Sequence, residues 1–123
     1  MPVIAVVDDS FAMRDALSDL ISSLGFQPDL YASGEELLCK LAEFKADAIV
    51  VDYNMEGMTG LDLQLRLNAE GKCPPLIMVT SYFNDRLRAT ALANGAVAFL
   101  RKPFDANELI ALFHNDLSLG KFC

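Results

Sequence analysis

Ile49-Val50-Val51-Asp52-Tyr53-Asn54 is the stretch on which the fold turns. Three β-branched apolar residues in a row read as a strand buried on both faces, the pattern of a parallel sheet's interior. Asp52 is the first charge after that run. It therefore stands where the strand leaves the sheet, at the carboxyl end where open α/β folds put their sites. Asp is also common wherever a strand gives way to a turn, so the stretch gains functional meaning only from what surrounds it.

Similar runs flank it on both sides. Val3-Ile4-Ala5-Val6-Val7 finishes in Asp8-Asp9-Ser10, Leu76-Ile77-Met78-Val79 finishes in Thr80-Ser81, and residues 96–100 run into Arg101-Lys102-Pro103-Phe104. Residues 26–31 form a weaker strand that Pro28 confines to an edge. Between the strands lie helical patterns. Met13, Leu17, Leu20, Ile21 and Leu24 follow Ser10 or Asp9 as N-cap and stop at Gly25. Ser33 to Glu36 has capping-box spacing and leads into Leu37, Leu38, Leu41 and Phe44. Leu61, Leu65 and Leu67 follow the loop of residues 54–60, and an Ala-rich helix over 84–94 is closed by Gly95. A second capping box, Asp105-Ala106-Asn107-Glu108, opens a helix carrying Leu109, Ile110, Leu112, Phe113 and Leu117.

Strand and helix thus alternate five times in 123 residues with no Pro-, Gly- or Ser-rich linker. This predicts one α/β domain over residues 1–123 with a doubly wound parallel sheet and right-handed crossovers. The flavodoxin-like (βα)5 strand order 2-1-3-4-5 fits five strands with the second on an edge, and it sets the first and third strands side by side at the switch point. Asp8 and Asp9 then come next to Asp52, with Thr80 and Lys102 arriving from neighbouring strand ends.

A composition of 53% hydrophobic and 22% charged residues argues for a folded core rather than disorder. The net charge of −7 and pI near 4.5 argue against direct binding to nucleic acid or an anionic membrane and favour the gathering of cations. No apolar run approaches the ~18 residues of a membrane span, and residues 3–7 are too short and lack the basic start of a signal peptide. A cytoplasmic address is expected. Cys39, Cys73 and Cys123 are widely and irregularly spaced, which suits neither a disulfide framework nor zinc; they read as reduced bystanders.

Three carboxylates in one pocket repel one another, so they must raise a pKa or recruit a cation. Hard oxygen ligands without His or Cys describe a magnesium site rather than zinc or an all-protein calcium cage. A carboxylate-held metal beside an ammonium and a hydroxyl is equipment for phosphoryl groups. Asp52, alone at the pocket's centre, is the better nucleophile for an aspartyl-phosphate, and the adjacent pair Asp8-Asp9 is better placed to hold the metal.

These residues resemble the receiver domain of two-component response regulators. The resemblance is carried by Asp8-Asp9, Asp52, Thr80, Gly95-Ala96, Phe99 and Lys102-Pro103-Phe104, each in its strand-end context and in order along essentially the whole chain. It implies that Asp52 accepts phosphate from a phosphohistidine on a sensor histidine kinase or histidine phosphotransfer protein. It implies Mg2+ on Asp9, Asp52 and the backbone carbonyl of Asn54, with Asp8 assisting through water. Thr80 and Lys102 would contact the phosphoryl group, Phe99 would be the aromatic switch residue, and Lys102-Pro103 would be a cis peptide. Added charge on Asp52 would draw Thr80 inward, let Phe99 turn, and reshape the face of the fourth helix, fifth strand and fifth helix for a homodimer or a downstream protein partner.

Two departures stand out. Glu56 occupies the place after Met55 where the family often has Pro, adding negative charge beside the metal. Asn54 and Tyr82, two residues past Asp52 and Thr80, sit where the family tunes loss of phosphate; Tyr82 is expected to shield the acyl phosphate, the blander reading being an exposed loop tyrosine. His114 reads as a surface or interface residue, and Arg86 and Arg88 as solvated. A small phosphatase with an aspartate nucleophile is a competing class, but it would need a second acid where Asn54 stands; a receiver-like interaction module without chemistry is a third, at odds with the intact acids, Thr and Lys. No effector segment is recognisable, so the chain is expected to be a stand-alone receiver or one excised from a longer regulator.

Overall fold

The computed structural model describes residues 2–82 and 84–116. Strands β1 (Val3–Val7), β2 (Gln27–Tyr31), β3 (Ala48–Asp52), β4 (Leu76–Thr80) and β5 (Ala98–Arg101) form one sheet in the order β2-β1-β3-β4-β5. Every pairing is parallel. Helices α1 (Phe11–Ser23), α2 (Gly34–Cys39), α3 (Gly60–Ala69) and α4 (Asp85–Ala93) supply the crossovers, and α5 (Ala106–Ala111) follows the last strand. This is the doubly wound flavodoxin-like arrangement that the sequence predicts. No helix among the described residues is long and apolar enough to cross a membrane.

Period-two alternation splits the interior into two cores. Ile4, Val6, Val50, Ile77 and Val79 pack with Leu17 and Ile21 of α1, Leu109 of α5 and Phe113. Ala5, Val7, Ile49, Val51, Met78 and Phe99 pack on the other face with Leu37 of α2, Leu63 and Leu67 of α3 and Ala91 of α4. Strand β3 is buried along its whole length, as its run of Ile and Val requires. Strand β2 lies on an edge, with Pro28 in its middle. The Gln27 amide donates inward to the Pro2 carbonyl at 2.9 Å, so by alternation the Pro28 nitrogen faces outward, where a missing N–H breaks no ladder.

Caps decide most helix ends. Ser10, rather than Asp9, caps α1, its hydroxyl accepting from the Met13 amide at 3.2 Å. Ser33 accepts from the Glu36 amide, and Asp105 with Glu108 forms a complete capping box on α5.

Three local expectations are corrected. The second helix stops at Cys39, and Leu41 lies on a 3-10 turn (Leu41–Glu43) after which Phe44 is extended. Phe44 is nonetheless buried, edge-on to the Tyr31 ring at 6.2 Å between centroids, so tertiary packing outweighs helical continuation there. On α3 the inward residues are Leu63, Gln64 and Leu67, while Leu65 is 47% exposed. The capping box of Thr59 and Asp62 sets where that helix begins, and Leu63 and Leu67 pack into the core on the sheet side. Strand β5 starts at Ala98 rather than residue 96. Leu117 and Cys123 lie outside the described residues.

Candidate functional site

The carboxyl ends of β1, β3, β4 and β5 bring the charged residues together. Asp8 follows β1 directly and is 1% exposed, Asp52 ends β3 at 4%, and Thr80 ends β4 fully buried. Asp9 stands exposed at the rim. Asp8, Asp9 and Asp52 each offer a carboxylate oxygen within 4.8 Å of the others. Lys102, the residue after β5, ends its side chain between two of them, with Nζ 2.9 Å from Asp8 Oδ2 and 3.3 Å from Asp52 Oδ2. Its amide donates to the Thr80 carbonyl at 2.7 Å, and the Lys102-Pro103 peptide is cis.

Buried carboxylates need partners. Asp8 Oδ1 accepts from the Ser10 amide at 2.9 Å, and its main-chain carbonyl accepts from Arg14 Nη1 at 2.7 Å. Asp52 Oδ1 accepts from the Asn54 amide at 3.1 Å. Even so, burial holds the Asp52 carboxyl above the usual carboxylate range, reinforced by the negative charge of Asp8 and opposed by Lys102 and the Asn54 N–H. Lys102 pairs with two of the three clustered acids, which leaves the cluster a surplus of negative charge. An all-oxygen donor set with that surplus of negative charge fits a hard divalent cation.

Thr80 and Asn54 meet across the pocket mouth. The Thr80 hydroxyl donates to Asn54 Oδ1, which also accepts from the Ser81 amide at 3.2 Å. The same hydroxyl accepts from the Tyr82 amide at 3.0 Å. Phe99 pairs across the sheet with Met78, two residues before Thr80, so Thr80 and Phe99 share the sheet face that α4 covers. Phe99 is buried. Tyr82 is 63% exposed and lines, with Tyr53, Leu61, Arg86 and Leu87, a cavity of about 270 Å³ beside the pocket. His114 is exposed and away from the acids in sequence, Cys39 is exposed and Cys73 half-buried.

Sequence reasoning missed three supports of this site. Gly60 lies so close to the end of β3 that an added Cβ would sit 2.7 Å from the Asp52 carbonyl oxygen and 2.9 Å from Tyr53 Cα. Arg14 reaches back to the Asp8 carbonyl from the first turn of α1, a placement its position four residues after the N-cap allows. The Thr80–Asn54 bond joins residues 26 positions apart, and no local pattern announces it.

Comparison with known proteins agrees with this geometry. The family model described as the response regulator receiver domain matches residues 4–114. The chain is 34% identical over 112 residues to the transcriptional regulatory protein FixJ of Bradyrhizobium diazoefficiens, an alignment that covers 91% of this chain and 55% of that protein. It spans about half the length of the curated relatives it matches. Among solved structures it is similar to a response regulator receiver protein from Burkholderia phymatum, with TM-score 0.83, 36% identity and 96% of each chain covered. It is also similar to the response regulator TrrA of Thermotoga maritima, solved in complex with Mg(2+)-BeF, with TM-score 0.82, 28% identity and 95% of this chain and 99% of that one covered. A strand-end acid cluster that fits a phosphoacceptor, on this fold and in this motif order, is accounted for by one conclusion: the chain belongs to the response regulator receiver domain family of two-component signalling.

Proposed function

We propose that residues 1–123 act as a single cytoplasmic receiver in which Asp52 takes a phosphoryl group from a phosphohistidine of a sensor histidine kinase or phosphotransfer protein. The observation that carries this reading is the convergence of Asp8, Asp9 and Asp52 within 4.8 Å, with Lys102 between two of them. A carboxylate oxygen of Asp52 forms the new P–O bond as the N–P bond to the imidazole breaks. The departing nitrogen keeps the electron pair and takes a proton from solvent. The product is a mixed anhydride on Asp52.

Asp8, Asp9, Asp52 and the Asn54 carbonyl would hold Mg2+, which when bound neutralises part of the charge on the phosphoryl oxygens. Lys102 adds a second positive charge at the same oxygens, and its tether to the buried Asp8 keeps the ammonium oriented. Thr80 donates to a phosphoryl oxygen once the group is in place, and Phe99, on the same face, follows into the space vacated. The surface of α4, β5 and α5 changes as a result and offers a homodimer or downstream contact. Tyr82 and Asn54, flanking the pocket mouth, set how readily water reaches the anhydride. The acid-rich pole and the net charge of −7 support a protein partner rather than nucleic acid for this chain.

The test is intact mass after incubation with acetyl phosphate and magnesium. The wild type gains one phosphoryl group and Asp52→Asn gains none; equal gain in both removes Asp52 from the scheme. Steady turnover of phosphate esters would instead identify a phosphatase.

A further inference from the structure

One residue touches both the nucleophile and the switch hydroxyl. The Asn54 amide donates to Asp52 Oδ1 at 3.1 Å, while its side-chain oxygen accepts from the Thr80 hydroxyl. The orientation of the Asn54 amide group is set by the Ser81 N–H, which needs an acceptor and finds Oδ1 at 3.2 Å. Both lone pairs of that oxygen are therefore used, and both bind the end of β4. Thr80 has a single hydroxyl proton. Two acceptors compete for it, Asn54 Oδ1 and the Tyr82 carbonyl oxygen at 3.1 Å.

We propose that the Asn54 side chain is a positioning residue that holds the Thr80 hydroxyl in its resting place, so that Thr80 reaches a phosphoryl group on Asp52 only by exchanging its bond to Asn54 for one to the new oxygen. The proposal rests on the receiver reading above. It assigns the Asn54 side chain a task separate from its main-chain carbonyl, and one separate from admitting water. The exchange is nearly balanced, one hydrogen bond against another, with the charged acceptor winning. That balance lets a phosphoryl group pull Thr80 across while leaving it fixed in the absence of one. It also ties Asp52 to Thr80 through a single residue, so the segment of residues 52–54 and the end of β4 move together or not at all. Because Asn54 is exposed, replacing it leaves the two cores untouched.

Two variants separate this role from a general one. Asn54→Asp keeps an acceptor in the same place, and Asn54→Leu keeps the size and removes it. In metal-free, unphosphorylated protein, Ser81 amide hydrogen exchange should rise about tenfold in Asn54→Leu and stay within about twofold of wild type in Asn54→Asp, as loss of one hydrogen bond implies. The rate of phosphorylation by acetyl phosphate with magnesium, followed by intact mass, should then rise about fivefold in Asn54→Leu. In a Thr80→Val background the same Asn54→Leu change should alter that rate by less than about twofold, because the bond has already gone. Unchanged Ser81 exchange in Asn54→Leu overturns the proposal, as does a rate change that persists undiminished in the Thr80→Val background. If Ser81 exchange responds as expected but the wild type takes no phosphoryl group, the receiver reading fails while the hydrogen bond stands; a phosphorylated wild type with unresponsive Ser81 fails the positioning role alone.

Discussion

Lys102 and Asp8, 94 residues apart in sequence, form an ion pair of 2.9 Å with the Asp8 side chain 2% and the Lys102 side chain 16% exposed. A pair this well covered behaves unlike a surface salt bridge, because removing one partner strands a desolvated charge.

Lys102→Met is therefore expected to destabilise the metal-free protein by about 2–3 kcal/mol. Urea denaturation in the presence of a chelator measures it. Magnesium should narrow the gap, since a divalent cation replaces the missing positive charge, and phosphorylation should still be slowed. Equal stability of wild type and variant in chelator would show that Asp8 does not depend on this ammonium.

Asp52→Asn should raise stability in chelator at neutral pH. The carboxyl of Asp52 is held above its ordinary value, chiefly by burial and then by Asp8, so the folded state binds its proton more tightly than the unfolded state does. The sign follows: this group's stabilising contribution is complete below its unfolded value of 3.8 and is lost as pH rises through the raised folded value. The wild type should accordingly fall behind Asp52→Asn as pH climbs from about 4 to 7 in thermal melts. Adding magnesium at about a hundred times its Kd should stabilise the wild type by ~2.7 kcal/mol and the variant by less.

Gly60→Ala and Gly71→Ala should part company. The Gly60 Cβ would meet the Asp52 carbonyl oxygen at 2.7 Å and Val51 Cγ1 at 3.0 Å, mostly backbone that cannot swing aside, so about 2–3 kcal/mol of destabilisation is expected together with slower phosphorylation. Gly71, at φ +67° with nothing within 4 Å, should cost about 1 kcal/mol for the left-handed backbone alone and leave phosphorylation unchanged. Chemical denaturation and the acetyl phosphate assay distinguish the two.

Gln64 is buried on α3, and its Nε2 donates to the Ala91 carbonyl at 3.0 Å while its Oε1 has no hydrogen-bond partner among the described residues. The Ala91 carbonyl already accepts from the Ala96 amide, also at 3.0 Å. Gln64→Leu should then be neutral or stabilise by up to about 1 kcal/mol, because it removes an unsatisfied buried oxygen without stranding its partner. A loss above 1 kcal/mol in urea would mean that the amide is better paired than this.

Most of the architecture was legible because its determinants are local. Apolar runs gave the five strands, Pro28 gave the edge, and the polar residues at four strand ends gave the pocket. What escaped depended on contacts between distant segments. Leu41 and Phe44 continue a helical spacing, yet the Tyr31 ring draws Phe44 out of the helix. Leu61, Leu65 and Leu67 read as the apolar side of α3, yet packing against the sheet turns Leu63 and Leu67 inward and leaves Leu65 exposed. Asp8 was legible as a member of the strand-end acid cluster, whereas its bond to Lys102 requires β1 and β5, which are not neighbours in the sheet, to aim side chains at one point.

The outward-facing nitrogen of Pro28 bears on how copies of this domain meet. A strand arriving alongside β2 would look for a regular row of amide donors and find a gap in its centre, so continuous main-chain extension of the sheet is discouraged from that side. On the β2 side, a contact between copies would have to be made through side chains rather than through a shared ladder. A side-chain interface can be turned on and off by a single charge, whereas a backbone ladder, once zipped, would not let go.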